Sequence, residues 1–550
     1  MRVHWSVSLL LLLSCGVPEH ADRSAVFRYN ERQGITDLDP AFARNLEHMW
    51  VVDQLFDGLV EMDPRMQVRP SVARSWEVLD SGRTYRFHLD PTVRFHDDVA
   101  FPDSVGRRVT AADFVYSFER IRDARTASPG RWVFDLVLPG EAGIRAIGAD
   151  TLELRLERAF PPFLGMLAMA YCNVVPREAV EHHGPEWRKH PVGCGPFRFF
   201  QWREGVKLVL QRYPRYHRKD EEGNALPYLD AVVVSFVKDP NAEFLALVKG
   251  ELDMVSGAEG GFLNELLDPL GEMAPKYADR IHMERAPGLA TDYLGFLMDS
   301  SAASVVGTPW ADRRVRRALS LATDRQRLVT YLKHGIGRPA QSIIPPVLPG
   351  TQAPFWSSGP YRPEEARRLL AEAGHPDGRG LPPITLTTTS SHLDICEFLQ
   401  HEWRGFGIDL RVDVVPLSTH KEGVANGDHM FFRKNWIADY PDAENFLLLF
   451  ASGNSAPAGP NYTRTHLPAY DRLYAEALRT TDDSIRLARY AGMEALLLEE
   501  CPAIFLLHPE VVRFIRNEVS GLGADPMNQL DLRRVKRTGR SLSAGAGSGR

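Results

Sequence analysis

The spacing of apolar and polar positions changes segment by segment along the chain and lays out a mixture of strands and helices. From Ala25, "VFRYNERQGITDLDP" reads as a short strand followed by a turn. In "HMWVVDQLFDGLVEMD", Met49, Val52, Leu55, Phe56 and Leu59 recur at helical spacing, which predicts an amphipathic helix ending near Gly58. "TYRFHLDPTVRFHDD" alternates apolar with polar residues and predicts a strand or hairpin edge. "VTAADFVYSFERIRD" opens with Thr110 and Asp113 in capping-box spacing and carries Phe114, Val115, Phe118 and Ile121 on one face, the mark of a helix.

Strand-like stretches follow at "TLELRLE", "GPFRFFQW" and "VKLVLQRY", and the β-branched run "AVVVSFV" suits a covered strand. "PNAEFLALVKGELDMV" predicts a helix that stops near Gly250 and leads into a short strand. Beyond "YLGFLMD" the pattern turns helical: "WADRRVRRALSLATDRQRLVTYL" carries Val315, Leu319, Ala322 and Leu328 on one side. "RPEEARRLLAEAG" has Pro363 at its opening and Gly374 at its close. "ITLTTTS", a helix through "ICEFLQHEWRGFG", and "IDLRVDVVPL" spell a β-α-β unit, and two long helices follow around "AYDRLYAEALR" and "IRLARYAGMEALLLEE". The class is α/β; periodicity alone leaves the topology open.

Length adds a bound: 550 residues imply roughly two to four domains unless one large fold is built from interleaved segments. With 44% hydrophobic residues, 25% charged residues and a formal charge of −6, the chain reads as a soluble globular protein. Basic residues are not interleaved with aromatics, so no nucleic-acid partner is expected. The one basic run, "RRVRR" at 313–317, shares a helix with Val315 and Leu319 and reads as a solvated helical face.

The start, "MRVHWSVSLLLLLSCG", has Arg2 and His4 before an apolar run ending at Leu13. That run is shorter than the roughly 20 residues that span a bilayer, so residues 1–14 read as an export signal. "LLSC" resembles a bacterial lipobox, in which Cys15 becomes the lipid-bearing first residue of the mature chain. The other cysteines, Cys172, Cys194, Cys396 and Cys501, have no CxxC spacing, and an exported protein permits one disulfide, with Cys172 and Cys194 the nearest pair. Buried thiols without partners are the expectation. The tail 537–550, rich in Gly, Ser and Arg, is expected to be disordered.

Candidate chemistry is sparse. Among 18 histidines only "EHHG" at 181–184 is dense, and adjacent His182 and His183 are expected to point apart, so no metal site is expected. No G-x-S-x-G, P-loop or G-x-G-x-x-G is present, so neither cofactor nor enzyme is implied. The densest polar stretch is "WIADYPDAENF" at 436–446. Asp439 with Asp442 or Glu444 has the residue types of a glycosidase pair, but no accompanying motif singles out an acid or a nucleophile.

Taken in order, "TDLDPAF", "QLFDGLV", "RPSVARSWEV", "FHDDVAF", "VTAADFVYSFERI", "PVGCGPFRFFQWREG", "DRRVRRALSLATDRQRLV", "GIGRPAQSIIPP", "YRPEEARRLLAEAG" and "WIADYPDAENFLLLF" resemble the extracellular solute-binding proteins of the peptide/nickel ABC-transporter family. The resemblance spans about residues 25 to 515. It implies a large two-lobed periplasmic-binding-protein clamp of type II with an additional domain and a two-strand hinge. Lobe I would comprise 22–60, 190–288 and 510–536, the additional domain 61–189, and lobe II 289–509, with crossings near 285–292 and 507–514.

The same resemblance implies a lipoprotein in the periplasm or cell envelope, monomeric, that hands peptides to an ABC permease and ATPase. Relatives that carry nickel complexes, haem or sugars make those the alternative ligands. Asp439 would pair with the ligand's α-ammonium, the backbone at Asn435 and Ile437 would pair with the ligand backbone as in strand addition, and Trp436 would wall a side-chain pocket. Asp442 would be a turn residue and Glu444 a solvated or loop-fixing carboxylate. Two departures stand out: Cys194 replaces a usual threonine in "GCGPF", and "TTTSSHLD" lacks the arginine that clamps a dipeptide's carboxylate, leaving His392 as a weak substitute. Longer peptides are therefore the expected ligands.

Overall fold

The computed structural model describes residues 25–538, apart from 258–262, 269–270, 303 and 350–360. The export signal, Cys15 and residues 539–550 lie outside the described residues. Arg537, expected in the tail, instead pairs with Val519 in a two-stranded ladder, and its guanidinium meets Asp253 at 2.8 Å.

Four sheets carry the architecture. Val26–Asn30, Ala231–Ser235, Lys207–Arg212 and Phe197–Arg203 form one, in that order, with the first pair parallel. A second, wholly antiparallel sheet orders Ala73–Leu79, Thr84–Leu89, Thr151–Arg155 and Ile144–Ala146. The third places Glu510–Arg516 between Met254–Ser256 and Ile281–Pro287. The fourth has six strands in the order Arg338–Pro339, Ala503–His508, Ala290–Phe296, Phe431–Ile437, Ile384–Thr388 and Leu410–Val414.

Two chain segments connect the third sheet to the fourth. Ile281–Pro287 continues through Gly288 and Leu289 into Ala290–Phe296, and Ala503–His508 continues through Pro509 into Glu510–Arg516. At the crossing the Gly288 N–H donates to the Pro509 carbonyl at 3.0 Å. A Cβ on Gly288 would lie 2.7 Å from that oxygen, so only glycine allows so close an approach. This is the expected two-strand hinge, at the expected place.

The helices follow their patterns with instructive differences. Thr110 and Asp113 form the capping box of Ala111–Arg122, and Phe114, Phe118 and Ile121 are buried. The first helix, Leu46–Leu55, stops three residues before Gly58, because Phe56 turns extended and Val60–Met62 pairs with Val68–Pro70. Leu59 is still fully buried, so core periodicity continues past the end of the helix. The long pattern at 310–332 splits into Arg313–Leu321 and Arg325–Leu332, since Asp324 caps the second helix by accepting from Arg327 N–H. The β-α-β unit is present, with Ile384–Thr388 and Leu410–Val414 parallel around helix Leu393–Arg404.

Two local expectations are corrected. Arg316 within "RRVRR" is not solvated: it is 1% exposed and donates to the carbonyls of Trp310, Ala311, Glu500 and Cys501. Those four oxygens end two other helices, Pro309–Ala311 and Asp483–Glu500, so the arginine supplies donors to helix ends that would otherwise be buried without them. His182 and His183 do not point apart; their ring centroids are 5.0 Å from each other, and His183 stacks on His190 at 5.2 Å. Both lie in the last turn of the helix Arg177–His183, and their rings meet edge to face. No group of metal-ligating side chains of three or more occurs among the described residues. The thiols of Cys172, Cys194, Cys396 and Cys501 are all free and buried, and burial raises each above the ordinary thiol pKa.

Candidate ligand-binding site

Strand Phe431–Ile437 is paired along its whole length with Ala290–Phe296 on one side, but with Ile384–Thr388 only at Phe431 and Phe432 on the other. From Arg433 onward its outer edge has no strand partner among the described residues. The Ala438 N–H donates to the Leu289 carbonyl, and the Leu297 N–H to that of Met430, which fixes the hydrogen-bonded pairs at even positions. The backbone groups of Asn435 and Ile437 therefore point to the open edge. Both residues are exposed, Ile437 at 66%.

The edge ends at Asp439. Its N–H is held by Asn445 Oδ1 at 3.1 Å, and the same oxygen accepts from Trp436 Nε1 at 3.0 Å. Trp436 is half-buried against the core beneath the strand. No ion pair reaches the Asp439 carboxylate among the described residues. Its pKa is pushed up to about 6 by desolvation, with a hydrogen bond from Asn445 acting against the rise.

Segments distant in sequence face this loop. Pro40–Phe42 packs on Ala170–Cys172. The phenol of Tyr171 is pushed up to about 12 by burial, then by the charge of Asp439, with Arg44 opposing. The Trp132 and Tyr440 rings lie 6.4 Å apart.

The neighbouring carboxylates are structural. Asp442 caps the next turn through Glu444 N–H at 2.9 Å, as its turn assignment requires, but it also binds Arg486 and accepts from the Tyr490 hydroxyl at 3.0 Å. Glu444 is not solvated: it is 2% exposed, accepts from the hydroxyls of Tyr440 and Tyr474, and is pushed up to about 7 by burial. Neither has the freedom of a hydrolytic acid or nucleophile.

His392 is pushed down to about 4 by burial and then by the positive charge of Arg433, so it is neutral at pH 7 and offers no counter-charge to a carboxylate. The cation here is Arg433, buried and paired with Asp292 at 2.8 Å. Arg433, Asp292, Asn445 and Tyr171 are the site residues that sequence reasoning missed. An arginine two residues before Asn435, directly after two phenylalanines, was the available signal. A polar recess around Arg122, Arg131 and Glu157 lies elsewhere and shares no residue with this site.

The mixed sheets, the double crossing and the open strand edge define a two-lobed periplasmic binding protein. Residues 67–457 match the model for bacterial extracellular solute-binding proteins, family 5, and the chain belongs to that family. It is 26% identical to the dipeptide-binding protein of Escherichia coli K12 (86% of this chain, 87% of the relative) and 29% identical to the periplasmic oligopeptide-binding protein OppA of the same organism (92% and 91%). The unliganded open form of the periplasmic murein tripeptide-binding protein MppA superposes with a TM-score of 0.76 at 25% identity, covering 94% of this chain and 98% of that one.

Proposed function

We propose that this chain is the substrate-binding lipoprotein of an ABC importer, capturing peptides in a closing interlobe cleft and delivering them to a membrane permease and its ATPase. The observation that carries the reading is the open edge at Asn435 and Ile437 ending at the unpaired carboxylate of Asp439. A peptide added as a strand supplies backbone partners for that edge, and its α-ammonium supplies the missing cation. Backbone pairing gives affinity without demanding a particular side chain, and Trp436 forms a wall for one of them. The names of the relatives, dipeptide- and oligopeptide-binding, agree with this ligand class.

Peptides longer than two residues are favoured, because His392 is neutral and Arg433 is already neutralised by Asp292, so neither is a free clamp for a carboxylate at a fixed short distance. The lobes in this reading are 22–60 with 190–288 and 510–536, and 289–509, with 61–189 as the additional domain. Cys15 carries the lipid that holds the protein to the membrane. The role is binding, with no chemical step.

Native mass spectrometry of the purified protein, followed by calorimetry with free and N-acetylated tetra-alanine, tests the proposal. Co-purified peptides and a strong preference for the free ammonium are expected. Equal binding of the acetylated peptide, turnover of peptide into fragments, or a co-purified metal or sugar with no peptide affinity would overturn it.

A further inference from the structure

Alternation along Phe431–Ile437 puts Phe432, Lys434 and Trp436 on one face and Arg433, Asn435 and Ile437 on the other. Phe432 is fully buried and Trp436 half-buried, as a core-facing row requires. Lys434, between them and half-buried, breaks the row. Its ammonium lies 3.9 Å from the centre of the Tyr462 ring, and no carboxylate forms an ion pair with it among the described residues. The charges that act on it are those of Lys421 and of Arg433, the latter paired with Asp292, and His420 lies within its own field.

A half-buried ammonium that no carboxylate pairs, with the charges of Lys421 and Arg433 acting against it, is an unfavourable arrangement that the ring relieves only in part. Burial, then Lys421 and Arg433, push its pKa down to about 8, so it remains largely protonated at pH 7. Arg44, in the segment assigned to the other lobe, acts electrostatically on the Tyr462 phenol and on that of Tyr171, which in turn feels the charge of Asp439. Arg44 is exposed and forms no ion pair among the described residues. Among the described residues, then, Asp439 is an anion without an ion pair, and Lys434 over the Tyr462 ring and Arg44 are cations without one.

We propose that the cleft selects peptides with an acidic side chain, whose carboxylate is received by Lys434 above Tyr462, with Arg44 facing it from the opposite lobe. The inference rests on the peptide-binding reading above. Its register follows from strand addition. A ligand bonded to the backbone of Asn435 and Ile437 places its intervening residue opposite Trp436, with that side chain on the Trp436 and Lys434 face. Lys434 is then the diagonal neighbour, about 7–8 Å away across the pair and within reach of a glutamate.

The test is calorimetry with tetra-alanine in which Glu, Gln or Lys is walked through each position. In the wild type, one position should prefer Glu over Gln by about tenfold or more, the scale of a charge-assisted hydrogen bond, with Lys disfavoured there. Lys434→Met should bring the Glu/Gln ratio to within about twofold of one, and Arg44→Gln, at an exposed residue that folding tolerates, should lower it as well. Equal binding of Glu and Gln peptides at every position of the wild type overturns the proposal. So does a ratio unchanged in Lys434→Met, which makes the lysine a packing residue over Tyr462. A loss abolished by C-terminal amidation instead makes Lys434 the receptor for the terminal carboxylate. Failure of every peptide to bind, unsubstituted tetra-alanine included, overturns the peptide reading itself and the selectivity with it.

Discussion

The side-chain oxygen of Asn445 accepts the backbone N–H of Asp439 at 3.1 Å, and this bond fixes the end of the open strand edge. Asn445 is 1% exposed and also holds the Trp436 indole, so a single buried amide positions both the carboxylate and the aromatic wall. Asn445→Ala leaves two donors without their acceptor and should cost about 1–3 kcal/mol of stability. Peptide affinity should fall with it, read by thermal melting and calorimetry in parallel.

The pairing of Asp439 with a ligand ammonium is measurable as a coupling. Asp439→Ala should weaken binding of a free peptide by roughly 3–5 kcal/mol, the cost of leaving one member of a buried pair alone. N-acetylation of the peptide should cost the wild type a similar amount, and the two losses should not add. Full additivity would separate Asp439 from the ammonium. Asp442→Ala, in contrast, strips Arg486 and Tyr490 of their acceptor. Its main effect should be on unfolding, larger than a turn residue would give.

The raised pKa of Asp439 sets a pH dependence with a definite sign. A carboxylate whose folded pKa, about 6, lies above its unfolded value of about 3.9 favours folding fully below pH 4 and loses that contribution as pH rises through 6. Ligand ammonium favours the ionised form. Peptide binding should therefore release protons near pH 6 and weaken as pH falls below it. At pH 7 the unliganded Asp439→Asn variant should be more stable than the wild type by at most about 1–2 kcal/mol, the shift being discounted for the water that reaches this side chain. An affinity flat from pH 5 to 8 would remove Asp439 from the binding equilibrium.

Gly288 and Pro509 sit at the double crossing, where a Cβ would strike the Pro509 carbonyl at 2.7 Å. Gly288→Val should change the angle between lobes and impair closure while each sheet stays intact. Small-angle scattering of ligand-free wild type should show a smaller radius of gyration when saturating peptide is added, and the variant a reduced change. A wild-type radius that does not respond, once co-purified ligand is removed, would count against a closing clamp.

Cys15 is the proposed lipid carrier, so Cys15→Ser should yield an unacylated protein released from the membrane fraction. Mass spectrometry of the mature wild type should find residue 15 at its N-terminus with lipid attached. Cleavage elsewhere, with no lipid there, would rule the anchor out.

The sequence by itself determined the local elements and singled out the loop at 436–446 as the candidate for binding. Capping at Thr110, the β-α-β unit around Leu393–Arg404 and the double crossing near 288 and 509 were readable because each rests on spacing between near neighbours or on ordered motifs. Tertiary structure alone decided what surrounds them. The burial of Arg316 depends on carbonyls 185 residues away, the neutrality of His392 on its burial and then on the charge of Arg433, and the free edge at Asn435 on where Ile384–Thr388 stops pairing. Desolvation and the fields of distant charges depend on the three-dimensional neighbourhood of a group, which periodicity along the chain does not encode. For that reason Asp439 could be singled out from the sequence, whereas Lys434, two residues from Trp436, stood out only once the Tyr462 ring was seen 3.9 Å from its ammonium.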